Sequence, residues 1–189
     1  MKATKLKILV LLLSLGSIMA CNSGSKTESS TTASETPSHL QGQASVEDNE
    51  SDKNILQVAI GSEAHSTLVV AVQAAQIENI LVNAGPLTVF APVNDAFAAL
   101  PEGTVDNLLK PENKGDLTTI LTRHAAPGSY NMEDLKREAS KGRKIYMATG
   151  DYLEVVVDGE DVWVAGAKVL ASIQTSNGII NVVDKVILP

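Results

Sequence analysis

Cysteine, histidine and aromatic residues are scarce in this chain of 189 residues. It contains one cysteine, three histidines, two phenylalanines, three tyrosines and one tryptophan. A single cysteine excludes an intramolecular disulfide. With Trp163 as the one tryptophan, an aromatic platform that stacks nucleic-acid bases is not expected. The core of the protein must therefore be built mainly from Val, Ile, Leu and Ala.

Basic charge is also in short supply. The net charge is -7 at pH 7, and residues 54–189 carry 16 acidic and 10 basic side chains. An acidic domain without a basic stripe argues against nucleic acid as a partner. It argues equally against electrostatic docking on anionic lipid. No G-x-S-x-G sequence occurs, and we expect no catalytic residues, no cofactor and no metal.

The first 20 residues have the pattern of a secretory signal. Three lysines precede the apolar run from Ile8 to Leu13, and the small residue Ala20 ends the segment. The run is shorter than the ~20 residues that cross a bilayer. The sequence "IMAC" at 18–21 resembles a bacterial lipobox, which implies that Cys21 becomes the N-terminus and carries lipid, including palmitate. The alternative is an unmodified thiol at the end of a secretory signal.

Residues 21–53 form a second segment of different composition. After Cys21 the chain is rich in Ser, Thr and Glu and poor in apolar residues, which predicts a disordered tether. We expect it to hold a domain at residues 54–189 away from a membrane surface. The predicted location is extracytoplasmic and lipid-anchored to the cell envelope. In a cell with two membranes the lipobox resemblance implies the outer membrane, because Asn22 stands where an aspartate would retain the protein at the inner one.

Residues 54–189 change from helical to strand periodicity along the chain. Apolar residues recur at helical spacing in the first half, with Asn54 and Asn131 placed to cap helices. From Lys144 onward, alternating strands are separated by turns, among them a hairpin turn at Asn177 and Gly178. The turn at Asp158–Asp161 is acidic, but it lacks the ordered spacing of a calcium loop. Strands that follow helices predict an α+β fold.

Four polar residues are candidates for function. Asn94 is placed to cap the next helix, with Asp95 at the positive end of its dipole; the alternative is a polar pair in a pocket. His124 lies on the apolar face of its helix, which favours a neutral, buried histidine over a base or ligand. His65, near Ser62, is expected in an exposed loop, with a catalytic role as the alternative.

Three blocks of sequence resemble fasciclin (FAS1) domains. They are "LTVFAPVNDAFAALP" at 87–101, "LTRHAAPGSYNMEDL" at 121–135 and "NGIINVVDKVILP" at 177–189. The resemblance implies a twisted β-sheet core, as a sandwich or wedge, with several helices in the N-terminal half. The residues that carry the family motif are Phe90, Pro92, Asn94, Asp95, Phe97, His124, Pro127, Gly128, Tyr130, Asn177, Gly178 and Asp184.

Two positions depart from the family pattern. Arg123 stands where the family often has a tyrosine, so integrin-type recognition is not carried over. Asn181 replaces a common histidine, which weakens the idea of a shared two-histidine site.

The resemblance implies a membrane-anchored module for binding or cell adhesion, without catalysis. We expect its N-terminal lipid to attach it to a membrane and a protein or glycan at the cell surface to be its partner. The alternatives are a structural protein of the envelope or biofilm matrix, and a hydrolase that lacks a recognised motif.

Overall fold

The computed structural model describes residues 52–83 and 85–188. The predicted signal peptide at 1–20, Cys21 and nearly all of the tether at 21–53 lie outside these residues. None of the helices in the described ranges is long and apolar enough to cross a bilayer.

Helices dominate the first half of the domain, as the sequence predicts. Before the first strand they are α1 (Ile55–Ile60), α2 (Ser66–Ala75) and α3 (Glu78–Asn83); after it come α4 (Asn94–Ala98), α5 (Thr104–Leu108), α6 (Lys114–Arg123) and α7 (Met132–Ser140). Short 3-10 turns at Glu63–His65 and Pro111–Asn113 lead into α2 and α6.

Two β-sheets complete the fold. The strands are β1 (Leu87–Pro92), β2 (Ala125–Pro127), β3 (Ile145–Tyr146), β4 (Tyr152–Leu153), β5 (Val155–Asp158), β6 (Asp161–Val164), β7 (Ala167–Thr175) and β8 (Gly178–Val183). Six of them form one mixed sheet in the order β2-β1-β8-β7-β6-β5, and β3 pairs with β4 in a second sheet. Within the large sheet β1 and β8 run parallel, while the other neighbours are antiparallel. The predicted α+β class and sheet core are confirmed.

The central strands separate two hydrophobic clusters. On one face, Val89 and Ile180 pack with α1, α2, α3 and α6. On the other, Phe90 and Val183 pack with α7 and strands β3 to β7. Because side chains alternate along a strand, neighbouring residues of β1 and β8 enter opposite clusters. Every side chain of β1 and β8 is consequently buried.

Two of the predicted helix caps form as expected. Asn54 and Asn131 each accept a hydrogen bond from the backbone N–H three residues ahead, which starts α1 and α7. In both cases the side chain of that later residue accepts the N–H of the asparagine in return, giving a capping box.

Candidate functional site

The first and last motif blocks meet at the centre of the large sheet. Leu87 lies opposite Gly178, and the register continues to Pro92 opposite Val183. Phe90 and Pro92 are both fully buried on β1. The strands of these two blocks, β1 and β8, therefore form the interior of the sheet and present no side chain to a partner.

Gly178 allows the two central strands to approach each other. A Cβ atom at this position would lie 1.8 Å from the carbonyl oxygen of Leu87. Its neighbour Asn177 ties three segments together: its Oδ1 accepts the N–H of Ile55 at 3.0 Å, and its Nδ2 donates to the carbonyl of Leu81 at 2.7 Å. The Asn177 carbonyl also accepts the N–H of Leu87 at 3.2 Å, so the hairpin turn predicted at this pair is the junction of α1, α3 and β1.

Asn94 does not cap its own helix, so that prediction is wrong. Val93 is the N-cap of α4, and Asn94 is its first residue. The Oδ1 of Asn94 instead accepts the N–H of Thr67 at 3.0 Å, and its Nδ2 donates to the carbonyl of Glu63 at 2.8 Å. Asn94 therefore caps α2, a helix that begins 28 residues earlier in the chain.

Asp95 and Phe97, which follow Asn94, occupy the positions that the sequence predicts. Asp95 is exposed in the first turn of α4, the position predicted to interact with the helix dipole. Phe97 is partly buried and packs against the cluster on the helical face of the sheet, as predicted. These contacts give α4 a structural role in joining β1 to α2.

A buried polar network joins β1 to the segment that follows β2. The hydroxyl of Thr88 donates to the carbonyl of Gly128 at 2.8 Å and accepts the N–H of Tyr130 at 2.9 Å. Asn181, where the family commonly has histidine, donates through Nδ2 to the carbonyl of Tyr130 at 2.8 Å. Pro127 lies beside them on the exposed part of β2, opposite Leu87. Thr88 is not among the predicted site residues, although a threonine inside a buried apolar strand is a signal for such a role.

His124 is buried at the end of α6, as its helical spacing predicts. The N–H of Ile187 donates to Nε2 at 2.9 Å, so this nitrogen carries no proton. The proton is therefore on Nδ1, which donates to the carbonyl of Ile120 at 2.8 Å. Burial lowers the pKa of His124 to about 4; the Ile120 carbonyl opposes the shift and the charge of Arg123 adds to it. His124 holds α6 to the C-terminal segment as a neutral side chain.

Asp184 fixes the point where β7 begins. Its Oδ1 accepts the N–H of Lys168 at 2.7 Å, and its own N–H donates to the Lys168 carbonyl at 3.1 Å. The motif aspartate thus holds the end of β8 against the start of β7.

His65 is buried, which corrects the expectation of an exposed loop. Only 5% of its surface is accessible, and its Nδ1 lies 2.8 Å from the Oγ of Ser62. Burial lowers the pKa of His65, and the carbonyl of Ala91 opposes that shift. Within residues 52–83 and 85–188 no carboxylate hydrogen-bonds to this imidazole, so the pair lacks the third member of a hydrolase triad there.

The acidic turn at Asp158–Asp161 pairs with lysines. Glu160 contacts Lys136, and Asp161 contacts Lys168. No group of three or more metal-ligating side chains comes together in the part of the chain that the structure describes.

Two exposed tyrosines lie side by side on the small sheet. Tyr146 and Tyr152 are cross-strand partners with ring centroids 5.2 Å apart and planes tilted by 56°. They are 47% and 64% exposed. Tyrosine is enriched at protein interfaces, and this chain has only six aromatic side chains. The pair, which we call the tyrosine pair, is the candidate contact surface of the domain. Strand periodicity predicts that both residues lie in strands, but it does not predict that they are cross-strand partners.

Comparison with known proteins agrees with the architecture. A family model of the fasciclin domain matches residues 63–189. A protein of Synechocystis sp. is 45% identical over 141 residues, covering 74% of this chain and 76% of that protein. The immunogenic protein MPB70 of Mycobacterium bovis is 33% identical over 109 residues, covering 57% of this chain and 52% of that protein.

The fold is similar to that of a solved relative. A FAS1 domain pair from the insect cell adhesion molecule Fasciclin I superposes with a TM-score of 0.66 at 17% identity, covering 72% of this chain and 51% of that one. The family model and the Synechocystis relative together cover most of the residues that build both sheets. The chain belongs to the fasciclin domain family.

Proposed function

We propose that this chain is a membrane-anchored, extracytoplasmic binding module for cell adhesion and that it has no catalytic activity. Membership of the fasciclin family supports the binding role, since a FAS1 domain pair occurs in an insect cell adhesion molecule. The lipobox-like sequence ending at Cys21 supports the lipid anchor. The acidic, Ser- and Thr-rich segment at 21–53 supports display of the domain away from the membrane.

The tyrosine pair carries the proposal that the domain binds a partner. Tyrosine rings offer a large, rigid surface with a polar tip, so they bind proteins or glycans at a small cost in conformational entropy. Exposed Arg143 and Lys144 precede β3, and Asp151, which forms an ion pair with Arg123 of α6, precedes β4. A mixed rim of charge around an aromatic centre is the usual anatomy of a contact surface.

The test measures attachment of the full chain to intact cells and to extracellular matrix. Tyr152→Ala is expected to reduce attachment, because the Tyr152 ring is the more exposed of the pair. Removal of this exposed ring leaves the hydrophobic core intact. Val156→Ala is the matched control, since Val156 is 51% exposed in a different sheet. Equal attachment by the two variants would contradict the role of the tyrosine pair. Altered biofilm cohesion without any captured partner would instead support the structural role.

The anchor and the absence of catalysis are tested separately. Cys21→Ala should move the chain from the membrane fraction to the soluble extracytoplasmic fraction, and retention in the membrane would rule out the lipid anchor.

For catalysis, ester and peptide substrates are offered to the chain and to Ser62→Ala. Turnover that this substitution abolishes would contradict a non-catalytic role, because Ser62 is the hydroxyl that contacts His65.

A further inference from the structure

One side of β7 is open along most of its length. On the first side, β7 pairs with β8 from Val169 to Thr175. On the second side, β6 pairs only with Ala167 and Lys168. No other strand of the described residues lies along the remainder of that side. We call the stretch from Val169 to Thr175 the open edge.

The open edge has backbone groups available for pairing. Backbone N–H and C=O groups alternate between the two sides of a strand. Thr175 closes the hairpin with Gly178 on the β8 side, so Ser172 and Gln174 direct their backbone groups to the other side. Just beyond, the N–H of Ser176 donates to the carbonyl of Lys53 at 3.1 Å. Lys53 therefore marks one end of the open edge, and the last pair with β6 marks the other.

The side chains of the open edge do not protect it. From Leu170 to Gln174 all are exposed, with Leu170 at 51% and Ile173 at 37%. The segment "VLASIQT" contains no charge, proline or glycine. Natural edge strands are usually protected from association by charges, proline or a covering segment, and a bulge at Leu170 is the one such device here.

The other two edges of the large sheet are protected. At β2, Pro127 interrupts the row of donors, and the carbonyl of Ala125 already accepts the N–H of Ala148. At β5, Asp158 ends the strand and Glu154 and Glu160 flank it. The open edge of β7 is therefore the uncharged strand edge of a domain whose net charge is negative.

The chain segment that precedes Lys53 is a poor occupant for this edge. Residues 46–52 read "VEDNESD", in which four of the residues are acidic and one is a strong strand former. A second copy of the chain fits better, because it offers an uncharged strand of the same length with β-branched and apolar side chains. Two acidic domains repel each other, and an uncharged edge is where they approach at the lowest cost.

We propose that two copies of this chain associate through their open edges, antiparallel, about a two-fold axis at Ser172. The midpoint of Val169–Thr175 is Ser172, so this register uses the whole edge of both strands. It places Ser172 opposite the partner's Ser172 and Ala171 opposite the partner's Ile173. The two six-stranded sheets become one continuous sheet, and the symmetry closes the assembly at a dimer. This inference does not depend on the proposed role in adhesion.

The dimer is expected to be weak and favoured by salt. A single pair of strands buries less than the ~1,200 Å² typical of stable interfaces. Salt screens the repulsion between the two negative domains, so the dimer fraction should rise with ionic strength. Contacts formed by opposite charges would weaken under the same change.

The experiment is sedimentation velocity of the full chain over a wide range of concentration and at two salt concentrations. All samples carry Cys21→Ala, so that neither a lipid nor a native thiol contributes. Ser172→Lys places like charges opposite each other at the axis and should weaken the dimer by up to about fivefold. Ser129→Lys is the matched control, because Ser129 is also an exposed serine and lies in the loop after β2, away from β7. The control should dimerise as the parent does.

Cross-linking gives a second readout that does not depend on affinity. Cβ atoms that face each other across an antiparallel pair lie ~4.5–5.5 Å apart, within the range that a disulfide spans after a small adjustment. Ser172→Cys should therefore form a covalent dimer under mild oxidation, and Ser129→Cys should not. A parent chain that stays monomeric at every concentration, a dimer indifferent to Ser172→Lys, or equal cross-linking at both sites would overturn the proposal. A dimer that appears only after deletion of residues 46–51 would also overturn it, by assigning the edge to that segment.

Discussion

His124 should make the stability of the domain depend on pH between about 4 and 6.5. The folded state holds this imidazole neutral with a pKa of about 4, against an ordinary value of 6.5 in the unfolded chain. The unfolded chain binds more protons in this interval, so the free energy of unfolding decreases as the pH falls from 6.5 towards 4. Above pH 6.5 the stabilising contribution is fully present. The gap between the two pKa values corresponds to about 3 kcal/mol in total, and about 2 kcal/mol of it is lost by pH 5.

The assay is urea denaturation of the full chain and of His124→Gln at several pH values from 8 to 5. Glutamine does not titrate, yet its amide oxygen can still accept the N–H of Ile187. The parent should be more stable at pH 8 by about 1–3 kcal/mol, the cost of the broken contact to Ile120. That margin should shrink by about 2 kcal/mol at pH 5. Carboxylates and His65 titrate in both proteins, so their contributions cancel in the comparison.

A constant margin between the parent and His124→Gln from pH 8 to pH 5 would refute the reasoning. His65→Gln is the parallel variant: burial lowers the pKa of His65 as well, so its contribution has the same sign and is also lost on acidification. If His124→Gln does not fold, NMR titration of the His124 ring in the parent gives the same answer. The ring should remain unprotonated above about pH 5.

Three substitutions test the interior contacts, and a fourth, Gly115→Ala, serves as a contrast. Gly178→Ala should destabilise the fold by more than about 4 kcal/mol or abolish folding. Gly115 lies on a helix in open space, so Gly115→Ala should stabilise the fold by about 0.5–1 kcal/mol. Thermal unfolding that gives both changes the same sign would contradict this contrast. Asn94→Ala should cost about 1 kcal/mol and accelerate hydrogen exchange of the Thr67 amide, and an unchanged Thr67 rate would refute the cap on α2. Thr88→Val leaves two buried backbone groups unpaired and should cost about 2–5 kcal/mol in urea denaturation; a neutral result would mean that water replaces the hydroxyl.

Local features of the fold are predictable from the sequence because their partners are close in the chain. The cap at Asn131 depends on a residue three positions ahead, and the hairpin at Asn177 and Gly178 on two turn residues. The apolar face of α6 likewise predicts a buried His124, since spacing along one helix determines which side faces the core.

Other features depend on distant partners, and there the sequence is insufficient. Asn94 has the right type and position to cap α4, but tertiary packing brings the start of α2 within its reach. The tyrosine pair requires β3 and β4 to align so that Tyr146 and Tyr152 face each other. His65 is covered by segments that a local pattern does not reveal. In each case the local sequence pattern predicts the secondary structure in which a residue lies, but it does not predict which distant residues that side chain contacts.

The central place of β8 in the large sheet has a kinetic consequence. Leu87 and Gly178 are register partners 91 positions apart, so closing this loop costs on the order of 4 kcal/mol in chain entropy before the pair is formed. The helices at the beginning of the domain have no complete sheet to pack against until the last strand is available. A chain that emerges from its N-terminus, during synthesis or passage through a membrane, would therefore stay unfolded until β8 has appeared. Folding of this domain should be completed only once β8 is available, in one cooperative step.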